Sequence, residues 1–409
     1  MKTIDRRSFI KTLGKAGIGS LLAVTGTRES TALTSVNQFA EEKRVPTRPF
    51  GKTGIQVAML GFGCSQDLNS KHLLLKQAIK MGVTYWDTAH TYNNSEEAIG
   101  NYFKKYPKDR KKVFLVTKSR SSDPARMTRS LETSLQRMRC DYVDMFFVHS
   151  VSDVKEELTK ATKVWAEKEK KKGRIRLFGF STHKNMEQCL SAAAKLGWVD
   201  GIMTSYNYRL MNSDSMKKAC DACAKEGIGL VAMKTQAPFF AKVFADIGKE
   251  DITAQSLTAQ FIKKGFTVEQ AKLKAVWENQ QITSICSEMT NMTLLKANVA
   301  ASMGKPKLSG LEKTLFDLHA SQTASYYCTG CAEYCEPEMA CDVPISDVMR
   351  CLMYAHEYEE TERAMNILRQ MSPDILNRLA VADFTPAEMA CPKKMPISIL
   401  INEVVKILA

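Results

Sequence analysis

From Pro46 onward, short apolar runs alternate with longer stretches of helical period. The runs at 58–61, 83–87, 113–118, 142–149, 176–181, 202–206, 229–234 and 282–286 are predicted strands, rich in Val, Ile, Phe and Tyr. Between them, 71–81, 95–106, 125–138, 153–172, 184–196 and 213–226 place apolar residues three and four apart, as amphipathic helices do. Eight strands, each followed by a helix, is the count of a parallel (β/α)8 TIM barrel in the α/β class. An open doubly wound sheet is disfavoured, because Gly61-Phe62-Gly63 lacks the third glycine of a dinucleotide turn and no helix follows at once. The stretch from 235 to 281 is longer than the other connections, with helical periodicity near 255–264 and 268–279. An excursion after a strand's carboxyl end lies over the active face of a barrel.

Three of the predicted strand ends carry chemistry. Asp87 closes the second strand and Tyr92 follows on its loop, while Lys118 closes the third and His149 the fourth. Neighbouring strands lie about 4.8 Å apart, so these four side chains can converge at the carboxyl face. A tyrosine is a poor acid at neutral pH. A nearby ammonium favours its phenolate and is expected to lower its pKa, a carboxylate holds the ammonium in place, and an imidazole can orient a carbonyl oxygen. Each residue alone has a plain structural explanation; together at three successive strand ends they point to carbonyl reduction by hydride transfer, with Tyr92 as general acid.

Composition narrows the partners. The hydrophobic share of 44% and charged share of 25% belong to a globular chain, so wholesale disorder is excluded. The net charge of +14 is spread along the chain in runs such as Arg110-Lys111-Lys112, without stacking aromatics or a helix-turn-helix pattern. That argues against nucleic acid and for solvated helix faces, with small-molecule substrates and a redox partner as the expected company. At the N-terminus, Asp5-Arg6-Arg7-Ser8-Phe9-Ile10-Lys11 precedes a short Gly- and Ala-containing apolar run. It resembles a twin-arginine export signal, with Asp5 where the pattern has Ser or Thr. The run is too short to span a bilayer. Residues 1–45 are therefore set aside as signal and linker, and a periplasmic location is expected.

From Phe50-Gly51-Lys52-Thr53-Gly54 through Gly61-Phe62-Gly63, then Asp87-Thr88-Ala89 with Tyr92, Lys118 and His149, residues 46–305 resemble the aldo-keto reductase family. The resemblance implies a reductase of aldehydes or ketones that uses NADH or NADPH. Gly179-Phe180-Ser181-Thr182-His183 resembles the family's segment that reaches the nicotinamide amide, with Ser181 as the contact. Further cofactor contacts implied are Gly63, Asp87, Asn207, Met233, Lys234, Glu288 and Asn298. Three positions depart from the pattern. Met203 replaces a glutamine, Met233 replaces an aromatic, and Cys286-Ser287-Glu288-Met289 replaces the segment that grips a 2′-phosphate. Glu288 would repel that phosphate and could accept ribose hydroxyls, which shifts the expected preference toward NADH. A non-catalytic cofactor-binding redox sensor is the alternative reading.

Beyond residue 305 the chain becomes cysteine-rich. Cys328, Cys331 and Cys335 are followed by Cys341 and, much later, by Cys391-Pro392, with helices predicted at 347–359, 361–371 and 374–379 between them. The pattern resembles two degraded copies of a ferredoxin run, in which the fourth cysteine of one copy ligates the other copy's cluster. Crossed ligation predicts one [4Fe–4S] cluster on Cys328, Cys331, Cys335 and Cys391, able to couple to the barrel's redox chemistry. A local set ending in Cys341 is the rival, with zinc as a second metal, and disulfides are the remaining possibility. Residues 306–409 are thus expected to form a small helical cysteine-rich domain. Cys220 and Cys223, on a helical stretch, are expected to be packing residues.

Overall fold

A short hairpin opens the fold, β1 (Thr47–Pro49) pairing antiparallel with β2 (Gln56–Ala58). Eight parallel strands then close into a barrel: β3 (Leu60–Gly63), β4 (Tyr85–Asp87), β5 (Phe114–Ser119), β6 (Val143–Val148), β7 (Ile175–Thr182), β8 (Gly201–Ser205), β9 (Gly229–Met233) and β10 (Ile282–Glu288). β10 pairs with β3 to complete the ring. The computed structural model describes residues 44–92, 94–236, 259, 261, 263–303 and 307–408. The export-signal pattern at 1–43 and the helix expected at 255–264 lie wholly or mostly outside them. Among the described residues no helix is long and apolar enough to cross a membrane.

The hairpin seals the amino-terminal end of the barrel. Phe50 is fully buried there, and its ring lies against the first residues of β8 and β9. A Cβ on Gly201 would stand 2.5 Å from that ring, and one on Gly229 2.8 Å. Glycine begins both strands because the plug leaves no room for a side chain. Arg48 ties β1 to the barrel wall by donating to the carbonyls of Trp277, Asn279 and Ile282.

Two boundaries differ from the sequence expectation. The first apolar run divides, its start joining the hairpin and its end forming β3, with the Met59 N–H bonded to the Pro46 carbonyl between them. The helix expected at 153–172 breaks into Val154–Glu157 and Lys160–Lys171, because Thr159 caps the second piece by accepting from the Thr162 N–H. Cys220 and Cys223 are buried on the helix Asp214–Lys225, as expected of packing residues.

Barrel and tail belong to one compact unit, Lys43–Ala409, with two apolar cores. The barrel core continues into the helix Gly310–Gln322, whose Phe316 packs on Tyr208. The second core gathers Val348, Leu352, Leu368, Leu379, Leu400 and Val404 from the tail helices Ile345–His356, Thr361–Leu368, Pro373–Val381 and Ile397–Leu408. Several polar contacts hold this tail over the carboxyl ends of β7 to β9. The Asn185 N–H donates to the Gly330 carbonyl at 2.8 Å, Lys184 pairs with Glu336 at 2.5 Å, and Asn207 Nδ2 donates to the Tyr327 hydroxyl at 2.9 Å.

Candidate active site

Strand register assembles the four predicted residues. Asp87 pairs with Val116, and Lys118 stands two residues further along β5; Lys118 pairs with Phe147, and His149 stands two residues further again. A two-residue step keeps the side chain on the same face of the strand, so Asp87, Lys118 and His149 all project at the barrel's carboxyl end. The loop after β4 is pinned by the Thr88 and His90 N–H groups, which donate to the carbonyls of Val116 and Lys118. Buried Glu96 accepts from Thr117 Oγ1 at 2.6 Å and pairs with Arg137, which also donates to the His90 carbonyl. This anchoring fixes Tyr92.

Lys118 Nζ donates to Asp87 Oδ1 at 2.5 Å and to the Thr88 carbonyl at 2.7 Å, and it lies 4.9 Å from the centroid of the Tyr92 ring. The His149 ring meets Tyr92 edge-on, centroids 5.8 Å apart. Asp87 and Lys118 are buried. Burial works against the Lys118 ammonium, yet Asp87 and Tyr92 together hold its pKa above the usual lysine range. Burial, followed by the charges of Lys118, Arg120, Arg350 and Arg363, pushes His149 well below the ordinary imidazole value. His149 is therefore neutral at pH 7, and its Nδ1 has no hydrogen-bond partner among the described residues.

One electrostatic expectation is corrected. Lys118 does pull the Tyr92 pKa down, but loss of water around the phenol outweighs it, and the pKa is pushed up to about 12. Tyr92 is a proton donor that stays protonated, rather than an acidified phenol.

The implied cofactor contacts fall into two groups. Ser181 Oγ accepts from the Ser150 N–H at 3.1 Å, and its own hydroxyl proton has no acceptor among the described residues, leaving a donor for a carboxamide oxygen. Thr182 instead turns its hydroxyl to the Lys184 carbonyl. On the far rim, Gly63 pairs with Glu288, and Asn298 Nδ2 donates to Ser287 Oγ at 3.0 Å. No basic residue forms an ion pair with Glu288 among the described residues, and burial raises its pKa. Other implied contacts are engaged elsewhere. Asn207 donates to Tyr327 of the tail and to the Lys234 carbonyl and accepts from the Arg209 N–H, so tail and barrel together occupy its amide. Met203 is buried in the barrel wall and Met233 ends β9 half-buried. Lys234 Nζ donates to the Tyr354 hydroxyl at 2.8 Å.

Tail residues that the sequence did not single out crowd over this site. Arg363 lies 4.1 Å from the Tyr354 ring centroid, and Arg350 and Arg363 both act on His149. Burial would raise the Tyr354 pKa, but Lys234, Arg363 and Arg350 lower it to about 8. Arg350 and Tyr354 stand four apart on Ile345–His356, a spacing legible in the sequence. Which face meets the barrel was not legible.

The cysteines divide as well. Cys328, Cys331, Cys335 and Cys391 line one cavity of about 360 Å³, and Cys341 lies outside its lining. All twelve cysteines are free thiols, so the disulfide arrangement is not adopted. Among the described residues no three His, Cys, Asp or Glu side chains stand close enough to hold a metal ion. The arrangement therefore does not fit zinc. Ligands of a four-iron cluster are spread more widely than ligands of one ion, so close convergence of three side chains is not what such a cluster requires.

The family model for the aldo/keto reductase family matches residues 61–302, the span that holds the barrel and all four central residues. The chain belongs to the aldo/keto reductase family. The chain is 30% identical over 194 residues to aldo-keto reductase str7 of Strobilurus tenacellus, covering 45% of this chain and 56% of that relative, about half its length. It is 22% identical over 305 residues to L-galactose dehydrogenase of Arabidopsis thaliana, covering 68% of this chain and 94% of that one. The fold matches an aldo/keto reductase from Klebsiella pneumoniae solved with NADP and acetate, with TM-score 0.52, 24% identity, and coverage of 68% and 94%. In this aldo/keto reductase the tail after residue 305 lies beyond the stretch that the family model matches.

Proposed function

We propose that this aldo/keto reductase reduces an aldehyde or ketone with a nicotinamide dinucleotide as hydride source. One observation carries the reading: the Lys118 ammonium, anchored on Asp87, lies beneath the Tyr92 ring with the His149 imidazole at its edge. His149, neutral, donates a hydrogen bond that orients the carbonyl oxygen. The Tyr92 hydroxyl gives that oxygen its proton, and the Lys118 charge stabilises the phenolate left behind until water reprotonates it. A bound reduced nicotinamide supplies the hydride to the carbonyl carbon. Ser181 would hold its carboxamide, and Gly63, Glu288 and Asn298 would border the adenosine ribose.

A carboxylate at Glu288, which forms no ion pair among the described residues, disfavours a 2′-phosphate. Steady-state oxidation of NADH and NADPH with a panel of aldehydes tests both parts together. Turnover with a higher kcat/KM for NADH is expected; no turnover with any aldehyde would reject the reductase reading, and a preference for NADPH would reject the role of Glu288.

The tail reading is crossed ligation of one [4Fe–4S] cluster by Cys328, Cys331, Cys335 and Cys391. It is supported by the shared cavity of these four thiols and by Cys341 lying outside it. Cys328 also lines the neighbouring cavity at the barrel mouth, so a cluster there would adjoin the mouth. Anaerobic purification with iron and sulfide analysis is expected to give one cluster per chain, lost in Cys391→Ser and kept in Cys341→Ser. The reverse pattern would assign the local set. The paired arginines Arg6 and Arg7 further support export of the folded chain. Replacing both by lysine should hold the protein in the cytoplasm on cell fractionation, and unchanged export would refute that route.

A further inference from the structure

A second cavity, about 460 Å³ of open space, lies where the tail meets the ends of β7, β8 and β9. Its lining includes His183, Ser205, Lys234, Thr329, Ser346 and Arg350. Among the described residues, half-buried Lys234 has only the Tyr354 phenol as hydrogen-bond partner for its ammonium, and no carboxylate pairs with it. Its backbone is left-handed, φ 55°, a conformation that costs energy in a lysine and persists where surrounding structure imposes it. Ser346 is 6% exposed, and its hydroxyl has no hydrogen-bond partner among the described residues. A half-buried ammonium that pairs with no carboxylate among the described residues and a buried hydroxyl without a partner there both carry a desolvation cost that a bound anion would relieve. Arg350 adds a planar fork suited to carboxylate or phosphate, although Asp347 takes one of its nitrogens at 2.5 Å.

The place of this cavity says what the anion belongs to. His183 lines the cavity just past the end of β7, the neighbour of β6, and Ser181 near that end accepts from the N–H of Ser150, which follows His149 in the chain. Tyr354 links Lys234 to the same neighbourhood. The cavity thus adjoins the reacting side of the tetrad, whereas in a nicotinamide dinucleotide a ribose separates the ring from the nearest phosphate. Resting on the carbonyl-reductase reading above, we propose that Lys234, Arg350, Ser205 and Ser346 form an oxyanion site, shared between barrel and tail, for the carboxylate or phosphate of a negatively charged carbonyl substrate. The tail then completes the substrate site, and neutral carbonyls of the same shape are the poorer ligands.

Calorimetric titration of the full-length protein with benzoate, phenyl phosphate and the neutral benzamide tests this independently of turnover. At least one of the two anions should bind and benzamide should not. Lys234→Gln and Arg350→Gln should each weaken anion binding roughly ten- to hundredfold, as expected for loss of a charge-assisted hydrogen bond. The anion should also bind when NADPH is already present. Equal binding of benzamide, no binding of either anion, affinity unmoved by both variants, or exclusion of the anion by NADPH would each overturn the proposal; the last would assign the cavity to dinucleotide phosphates. Should the charge variants fail to fold, Ser346→Ala decides with the same probes: weaker anion binding upholds the site and unchanged binding refutes it. Oxidation of NADH or NADPH by a neutral aldehyde, measured separately, scores the reductase reading, so the two failures are distinguishable.

Discussion

Tyr92→Phe is expected to lower kcat for carbonyl reduction by about 10²–10⁴-fold, the range for loss of a positioned general acid. The change removes one hydroxyl and keeps the ring that covers Lys118 and meets His149, so KM and the unfolding midpoint should move little. Because burial holds the phenol near 12, the wild-type reduction rate should be level through neutral pH and fall only as the phenol titrates at strongly alkaline pH. Steady-state rates from pH 6 to 10 for both proteins check this. A variant that kept activity within a few-fold of wild type would move the acid to another group, with neutral His149 the nearest candidate.

Asp87→Ala is expected to cost about 3–5 kcal/mol of stability, because it leaves the Lys118 ammonium buried without its counter-charge. In the wild type, Asp87 raises the folded-state pKa of Lys118. That stabilisation is fully present below the unfolded lysine value of about 10.4 and is lost as pH rises through the higher folded value. In the variant, burial is unopposed by Asp87 and lowers the folded pKa, so the sign reverses: the unfolded chain binds the extra proton, and stability rises with pH toward the unfolded value. Urea unfolding at pH 7 and pH 9 reads both effects. A loss below about 1 kcal/mol, the size typical of an exposed pair, would mean that the ion pair is solvated in the folded chain.

The candidate site was largely legible because its parts lie within short reach of strand ends. A parallel barrel converts position along the chain into position around a ring, so Asp87, Lys118 and His149 needed only correct strands to be brought together. The acidity of Tyr92 was not legible. A cation beside a phenol lowers its pKa, but how far burial opposes it depends on three-dimensional packing that no local pattern shows. Asn207 shows the same limit. Its place after β8 suggested a cofactor contact, and only the packed tail shows its amide bound to Tyr327.

What the sequence determined alone was the alternation of strand and helix, the four residues at the carboxyl face and the spacing of the tail cysteines. These follow from local periodicity and from residue types that chemistry requires at fixed offsets. Tertiary structure decided which face of Ile345–His356 meets the barrel, that Cys391 rather than Cys341 lines a cavity with Cys328, Cys331 and Cys335, and that Lys234 faces a phenol instead of a carboxylate. Those outcomes depend on how two apolar cores dock, and docking joins positions that no local pattern relates.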